Sequence, residues 1–270
     1  MLTRGEIPYS SGRWRGRVAA GWQTEFQDFE KWQIEHVGDT VVSYRSRKVC
    51  RVQTPKGTLY VKTIWGLTDA GMTGRDPMSF LKWVLRPSRA LAAWRISYRM
   101  LAAGFHCARP VLAIRRRSRV GYPTDVFISE EVAAPVLSEV LPSLTAEQQL
   151  DLARLLGREL QKFHAAGFVH GDCILRNLCL NPENELIYLD NDRSKVRSVI
   201  TIFSRSIRNL AQIGYSARRC GASSDFPVIL FEEYARQAGW GEARSQKTIR
   251  HLCNGIEKRL KNRLKRSTAH

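Results

Sequence analysis

His164-Ala-Ala-Gly-Phe-Val-His170-Gly171-Asp172-Cys173-Ile-Leu-Arg176-Asn177, followed by Leu186-Ile-Tyr-Leu-Asp190-Asn191-Asp192-Arg193, decides how the rest of the chain is read. The stretch runs as a helix end, a tight polar loop and a short apolar strand that leads into acids. Asp172 and Asn177 stand five residues apart, and Asp190 follows thirteen residues later.

Phosphoryl transfer calls for three groups of this kind. A carboxylate accepts the proton of the attacking hydroxyl, an amide oxygen holds a metal, and a second carboxylate bridges metal to phosphates. Protein-kinase-like enzymes place the first two on one loop at this spacing and the third at the end of the next hairpin. Alone, His-Gly-Asp is a turn and Leu-Asp-Asn-Asp a surface loop. In this order, with an apolar strand between them, they predict a catalytic loop and a metal loop.

Composition sets wide bounds. With 270 residues, the chain can form one bilobal domain or two small ones. An apolar share of 43% and a charged share of 25% are ordinary. The balance of charge is not: 43 Lys and Arg against 25 Asp and Glu leave +18. Such an excess points to an anionic partner, whether nucleic acid, acidic membrane or phosphorylated substrate. Nucleic acid would explain the charge but not the three acids and amides, and is the least favoured of these partners. Six cysteines lie scattered, with no Cys-x-x-Cys pair and no Cys/His ligand spacing. Zinc is therefore not expected, and the thiols suit a reducing cytoplasm. No apolar run has the length of a membrane span, and the Arg-bearing first 17 residues lack the apolar core of a secretory signal.

Upstream, residues 1–35 are weakly patterned, rich in Arg, Gly and Trp, and read as an arm or an irregular extension, with a short helix over 23–35 and with aromatics beside Arg that suit either surface binding or packing onto the domain. From Thr40 the pattern becomes an antiparallel meander: strands at 40–44, 48–52 and 58–64, with a turn at Thr54-Pro-Lys-Gly57. Lys62 sits near the end of the last of these strands, where a kinase-like small lobe keeps the lysine that contacts the α- and β-phosphates. No Gly-x-Gly-x-x-Gly precedes it. The hairpin at 44–48 is basic instead (Arg45, Arg47, Lys48). A loop at 68–76, a short helix at 79–83 and a longer one at 88–103 follow, then strands at 111–114 and 125–129. Glu130-Glu-Val132 is the expected connector, with backbone groups of Glu130 and Val132 placed to meet an adenine edge.

Downstream, Thr145 with Gln148 three residues on predicts a capping box at the start of a long helix. Its apolar stripe is Leu152, Leu155, Leu156, Leu160 and Phe163. After Arg193 the chain is basic, with a helix over 203–213. Residues 249–266 repeat apolar positions every three or four residues, with Lys and Arg between them, so this helix can dock by one stripe and show a basic face to solvent or to an anionic membrane.

These residues also carry a family likeness. His170-Gly-Asp-Cys-Ile-Leu-Arg-Asn177, with Leu189-Asp-Asn-Asp-Arg193 in place of Asp-Phe-Gly, resembles the bacterial lipopolysaccharide kinases, the Kdo and core-heptose kinases of Gram-negative inner-core assembly. Ser88–Arg95, Gly104–Ala113 and Arg205–Leu210 add looser support. The resemblance implies an α+β, protein-kinase-like bilobal fold, with a small nucleotide lobe at 36–130 and a large catalytic lobe at 131–270. It implies ATP and Mg2+ as cofactors, Asp172 as catalytic base, Asn177 and Asp190 as metal ligands, and Lys62 as the phosphate-binding lysine. Asp192, Arg193 and Arg176 would support metal or substrate. The acceptor would be an anionic glycolipid precursor, met from the cytoplasm by basic contacts peripheral to the inner membrane. Two departures stand out. The helix at 88–103 has no acid to hold Lys62, leaving Asp69 or Asp76 as substitutes or phosphate alone to hold it, and Cys173 replaces the usual Leu or Phe. A phosphotransferase for another acceptor, or a pseudokinase-type binding protein, would share these features.

Overall fold

The computed structural model describes residues 6–44, 46–65, 84–119 and 121–267. They form two compact units. One comprises residues up to 102 together with 108–133, the other residues 103–107 and 134 onward. The fold is of the α+β, protein-kinase-like kind.

The first unit is built on a seven-stranded antiparallel sheet. Its strands are β1 (Glu6–Ser11), β2 (Trp14–Ala19), β3 (Asp39–Tyr44), β4 (Arg47–Thr54), β5 (Gly57–Trp65), β7 (Pro110–Arg117) and β8 (Pro123–Glu130), in the order β1-β2-β7-β8-β5-β4-β3. The meander read at 40–64 is β3-β4-β5. Within the stretch expected as an arm or extension, β1 and β2 continue this sheet, with β2 pairing along β7 from Arg15↔Arg115 to Val18↔Leu112. The reason lies in its aromatics. Trp14, Phe26, Phe29 and Trp32 are all buried, and the last two sit on helix α1 (Phe29–Glu35), which Asp28 caps by accepting the Lys31 amide. Trp14 meets Phe29 edge-on at 5.2 Å, and Phe26 meets Trp32 at 4.9 Å. Each such ring removes roughly 150–250 Å² from water, enough to order a segment that has no apolar periodicity.

Helix α2 (Arg89–Ala102) belongs to the same unit, and a buried carboxylate fixes its start. Asp125 on β8 accepts from Ser88 Oγ at 2.8 Å and from the Arg89 amide at 2.9 Å, while Arg115 grips it through two nitrogens at 2.7 and 3.0 Å. Ser88 Oγ in turn accepts the Leu91 amide, which makes it the helix cap. The expected loop at 68–76 and helix at 79–83 lie outside the described residues.

The second unit is mainly helical. Helix α3 (Leu137–Val140) precedes α4 (Ala146–Ala165), which begins with the predicted Thr145/Gln148 capping box. Its buried stripe includes Leu152, Leu156, Leu160 and Phe163, while Leu155 is half-buried beside an open groove. Short strands β9 (Phe168–Val169), β10 (Leu178–Leu180), β11 (Leu186–Tyr188) and β12 (Lys195–Val196) carry the loops of interest. β10 pairs antiparallel with β11, β11 pairs parallel with β6 (His106–Cys107), and β12 pairs with β9. Helices α5 (Val199–Arg219), α6 (Asp225–Gln237) and α7 (Glu242–Ser267) complete the unit, the first and last longer than their apolar repeats suggest. α7 docks through buried Leu252 and Ile256. A Cβ at Gly214 of α5 would come within 2.7 Å of Ile256, so glycine there permits the close approach.

Candidate active site

The loop that carries Asp172 rests on a polar row of α5. Asn209, Gln212 and Ser216 fall on one face by helical spacing. Asn209 Nδ2 donates to the His170 carbonyl at 2.8 Å, and its Oδ1 accepts the His170 amide at 3.1 Å. Gln212 Oε1 accepts the Cys173 amide and Ser216 Oγ the Leu175 amide. The loop has few ladder partners of its own, so these side chains satisfy backbone groups that burial would otherwise leave unpaired. Beneath Asn209 lies His164, whose Nε2–H points at Asn209 Oδ1 at 3.1 Å while Nδ1 faces the Tyr234 hydroxyl at 3.1 Å. Burial holds His164 neutral, pulling its pKa down to about 4 despite the Asn209 hydrogen bond.

His170 joins this loop to the next. Its Nε2 donates to the Leu189 carbonyl at 2.8 Å, and its Nδ1 accepts the Asp172 amide at 3.2 Å. Only the neutral ring can do both. Burial lowers its pKa, opposed by the hydrogen bond to Leu189 and the charges of Asp190 and Asp172. A second clamp lies beside it. Gly171 donates its amide to Ser194 Oγ at 3.2 Å, and a Cβ at Gly171 would stand 2.5 Å from the Arg193 carbonyl carbon. No side chain fits there.

Asp190 follows with φ 52° and ψ 55°, a left-handed conformation that Asp tolerates better than most residues and that clusters at functional sites. Asn191 is buried and donates to the Tyr188 carbonyl, which fixes the turn after Asp190. The side chain of Asp190 is exposed, Asp192 is partly buried and Arg193 is exposed.

Asn177 closes the constellation. Its Nδ2 donates to the Asp172 carbonyl at 2.8 Å, its carbonyl accepts the Leu189 amide at 2.9 Å, and its Nδ2 lies 3.5 Å from Asp172 Oδ2. With Nδ2 so engaged, Oδ1 remains as an acceptor without a hydrogen-bond partner among the described residues. An amide oxygen and a carboxylate are hard oxygen donors, the kind Mg2+ takes together with water and phosphate. The residues present therefore suit such an ion. Among the described residues no three His, Cys, Asp or Glu side chains gather into a metal cluster. The Asp172 carboxylate is partly exposed, and Arg176 lies 3.9 Å from its Oδ2. The structure thus brings together Asp172, Asn177 and the Asp190 backbone, with Arg176 and Arg193 at their edge. Cys173 is fully buried and its thiol is pushed strongly upward by burial, so it serves as a small apolar filler.

The other expected residues lie in the first unit. Lys62 on β5 stands between Val49 of β4 and Phe127 of β8. The Glu130 amide is already donated to the Arg109 carbonyl, and the Glu131 amide to that of Thr58. Among the described residues the Val132 amide makes no such bond. Glu131, not Glu130, anchors the connector by its side chain: Arg51 holds it through two nitrogens at 2.7 and 3.1 Å. In the basic hairpin Arg47 lies over the Tyr44 ring at 4.7 Å, and Arg45 lies outside the described residues. So do Asp69 and Asp76, the substitutes expected for the missing helix acid.

Sequence reading passed over Asn209, Gln212, Ser216, His164 and Ser194. A signal existed for one. Along α5 the buried positions include Ser206, Asn209, Leu210, Ile213 and Ala217, so Asn209 is a polar residue set on an apolar stripe. Such a residue needs a partner.

Comparison with known proteins follows the same lines. A model of the lipopolysaccharide kinase (Kdo/WaaP) family matches residues 27–251. The KEOPS complex subunit Bud32 of Pyrococcus abyssi is 34% identical over 65 residues, 24% of this chain and 29% of that protein. The chain thus matches less than a third of the length of that curated relative. A solved structure of WaaP in complex with acyl carrier protein superposes with a TM-score of 0.64 at 17% identity, over 90% of this chain and 96% of that one, a likeness of fold.

Proposed function

Because the chain belongs to the lipopolysaccharide kinase (Kdo/WaaP) family, we propose that it transfers the γ-phosphoryl group of ATP to a hydroxyl of Kdo or heptose in the lipopolysaccharide inner core. The observation that carries this reading is the pair of bonds by which His170 and Asn177 tie the Asp172 loop to Leu189, directly before Asp190.

In this reading Asp172 accepts a hydrogen bond from the sugar hydroxyl and takes its proton as the oxygen attacks phosphorus. Arg176, beside that carboxylate, steadies the developing charge near it. Asn177 Oδ1 and the Asp190 carboxylate would hold Mg2+, which would supply charge neutralisation at the phosphates. Asp192 and Arg193 support metal or substrate from the turn that follows. Lys62 holds the α- and β-phosphates, and the Val132 amide meets the adenine edge. Most of the catalysis is positioning and charge neutralisation, since phosphoryl transfer asks little covalent work of the protein.

The acceptor is itself phosphorylated and lipid-anchored, and a chain of charge +18 suits it. We place the protein at the cytoplasmic face of the inner membrane, held by peripheral basic contacts. No helix among the described residues is long and apolar enough to cross a membrane. The similar WaaP structure is a complex with acyl carrier protein, and a protein partner of that kind is a further candidate for this chain. A second reading, a pseudokinase-type binding protein, draws on α2, which has no acid to pair with Lys62. ATP turnover by purified protein separates the two. Wild type should hydrolyse or transfer from Mg-ATP, and Asp172→Ala and Asp190→Ala should not. Equal nucleotide use by wild type and Asp190→Ala would refute the kinase reading.

A further inference from the structure

Outside the catalytic loops, the second unit carries a cation held in an unusual way. Arg244, in the first turn of α7, lies against two aromatic rings. Its guanidinium carbon is 4.7 Å from the centroid of Phe203 on α5 and 4.8 Å from that of Trp240. The rings are themselves in contact at 5.7 Å, and Trp240 is backed by Tyr234 at 5.6 Å. The Trp240 amide donates to the Ala235 carbonyl at 3.0 Å, so the indole sits on a fixed backbone. Among the described residues Arg244 makes no ion pair and no hydrogen bond. Phe203 keeps 41% of its surface exposed.

This cluster opens a longer stripe. Arg244, Lys247, His251 and Lys258 recur at spacings that place them on one face of α7, and all four are exposed. That face carries no acid. The acids of α7 are Glu242, at its start, and Glu257, which lies 3.4 Å from Arg218. The opposite face is the one that docks, through Leu252 and Ile256. At the far end Leu264 is 66% exposed. A helix of 26 residues is about 39 Å long at 1.5 Å per residue.

We propose that α7 lies along an anionic bilayer surface, with Phe203 and Trp240 set at the level of the headgroups and the Arg244–Lys258 stripe against lipid phosphates. The proposal rests on the reading that the acceptor is membrane-bound and names the surface that meets the membrane. The chemistry is specific. Aromatic rings with one apolar face and one wet edge settle at membrane interfaces, and each basic residue near anionic lipid contributes about 1 kcal/mol. An acidic protein or nucleic acid would use the cations but has no need of Phe203 left in water beside them. A guanidinium held against aromatic rings keeps its charge and can bond phosphate oxygens in pairs.

The test uses the full chain and phosphatidylcholine vesicles with or without phosphatidylglycerol. In co-sedimentation the wild type should bind the anionic vesicles and not the neutral ones. Phe203→Ser with Arg244→Gln should weaken that binding about tenfold, while the thermal midpoint falls only by a few degrees and the protein stays folded at the assay temperature, since both residues are largely exposed. Lipids brominated along the upper acyl chain should quench tryptophan fluorescence in the wild type, and Trp240→Phe should remove a large share of the quenching. Equal vesicle binding by wild type and the double variant, or quenching indifferent to Trp240→Phe, overturns the assignment of this surface and leaves the membrane reading in place. Failure of the wild type to bind anionic vesicles overturns both, while the kinase reading is judged separately by ATP turnover.

Discussion

The ring of His170 joins the Leu189 carbonyl, at 2.8 Å, to the Asp172 amide, at 3.2 Å. One neutral imidazole therefore sets the distance between the loop that carries Asp172 and the residue before Asp190. His170→Phe keeps a ring in the same buried space and loses both bonds. The expected result is a fall in kcat of about a hundredfold, the scale for misplacing a reacting group by about an ångström, with a smaller change in KM for ATP. Steady-state kinetics at saturating nucleotide would show it, and an unchanged kcat would mean that the ring does not position the loops.

Acid should weaken the fold through the two buried histidines of this site. His164 has a pKa near 4 in the folded chain against 6.5 as a free group, and burial also lowers that of His170. Between those values the unfolded chain takes up a proton that the folded chain refuses. The stabilising contribution of neutral His164 is thus complete above about pH 6.5 and lost as pH falls toward 4, about 3 kcal/mol across the window. Urea unfolding at pH 7 and pH 5 measures the slope. His164→Gln, which cannot charge, should flatten it.

Gly171→Ala tests the close approach of the two loops. The added Cβ would meet the Arg193 backbone, 2.5 Å from its carbonyl carbon and 2.7 Å from its oxygen, and neither can move without shifting the turn after Asp190. Activity should drop by at least about tenfold, with overall stability reduced by about 1–3 kcal/mol, the usual cost of overpacking. Kinetics and denaturant unfolding on the same sample would check both figures.

That Asp172, Asn177 and Asp190 lie close together was legible in the sequence, because the three sit within one short stretch closed by the β10–β11 hairpin. The strands around Lys62 and the Thr145 cap were legible because alternation and capping are local patterns. The support beneath the loop was not. Asn209, Gln212 and Ser216 read as ordinary polar positions of a helix, and only the fold shows that loop amides meet them. Likewise Trp14, Phe26, Phe29 and Trp32 look like scattered aromatics in a weakly patterned segment. Their partners are one another and the sheet, which no periodicity announces.

That aromatic layer gives a stability prediction. If residues 6–35 are part of the first unit, Phe29→Ala should cost about 3–5 kcal/mol, as for other fully buried Phe residues. An appended arm would tolerate the change. Urea unfolding followed by tryptophan fluorescence would distinguish the two, since Trp14 and Trp32 both lie against Phe29.

The phosphate content of core oligosaccharide tests the central claim most directly. It would be measured by mass spectrometry in cells with the gene, without it, and without it but supplied with Asp172→Ala. The account predicts that deletion removes one phosphate from a Kdo or heptose residue, that the wild-type gene restores it, and that Asp172→Ala does not. A core with the same phosphate content in all three strains would contradict it.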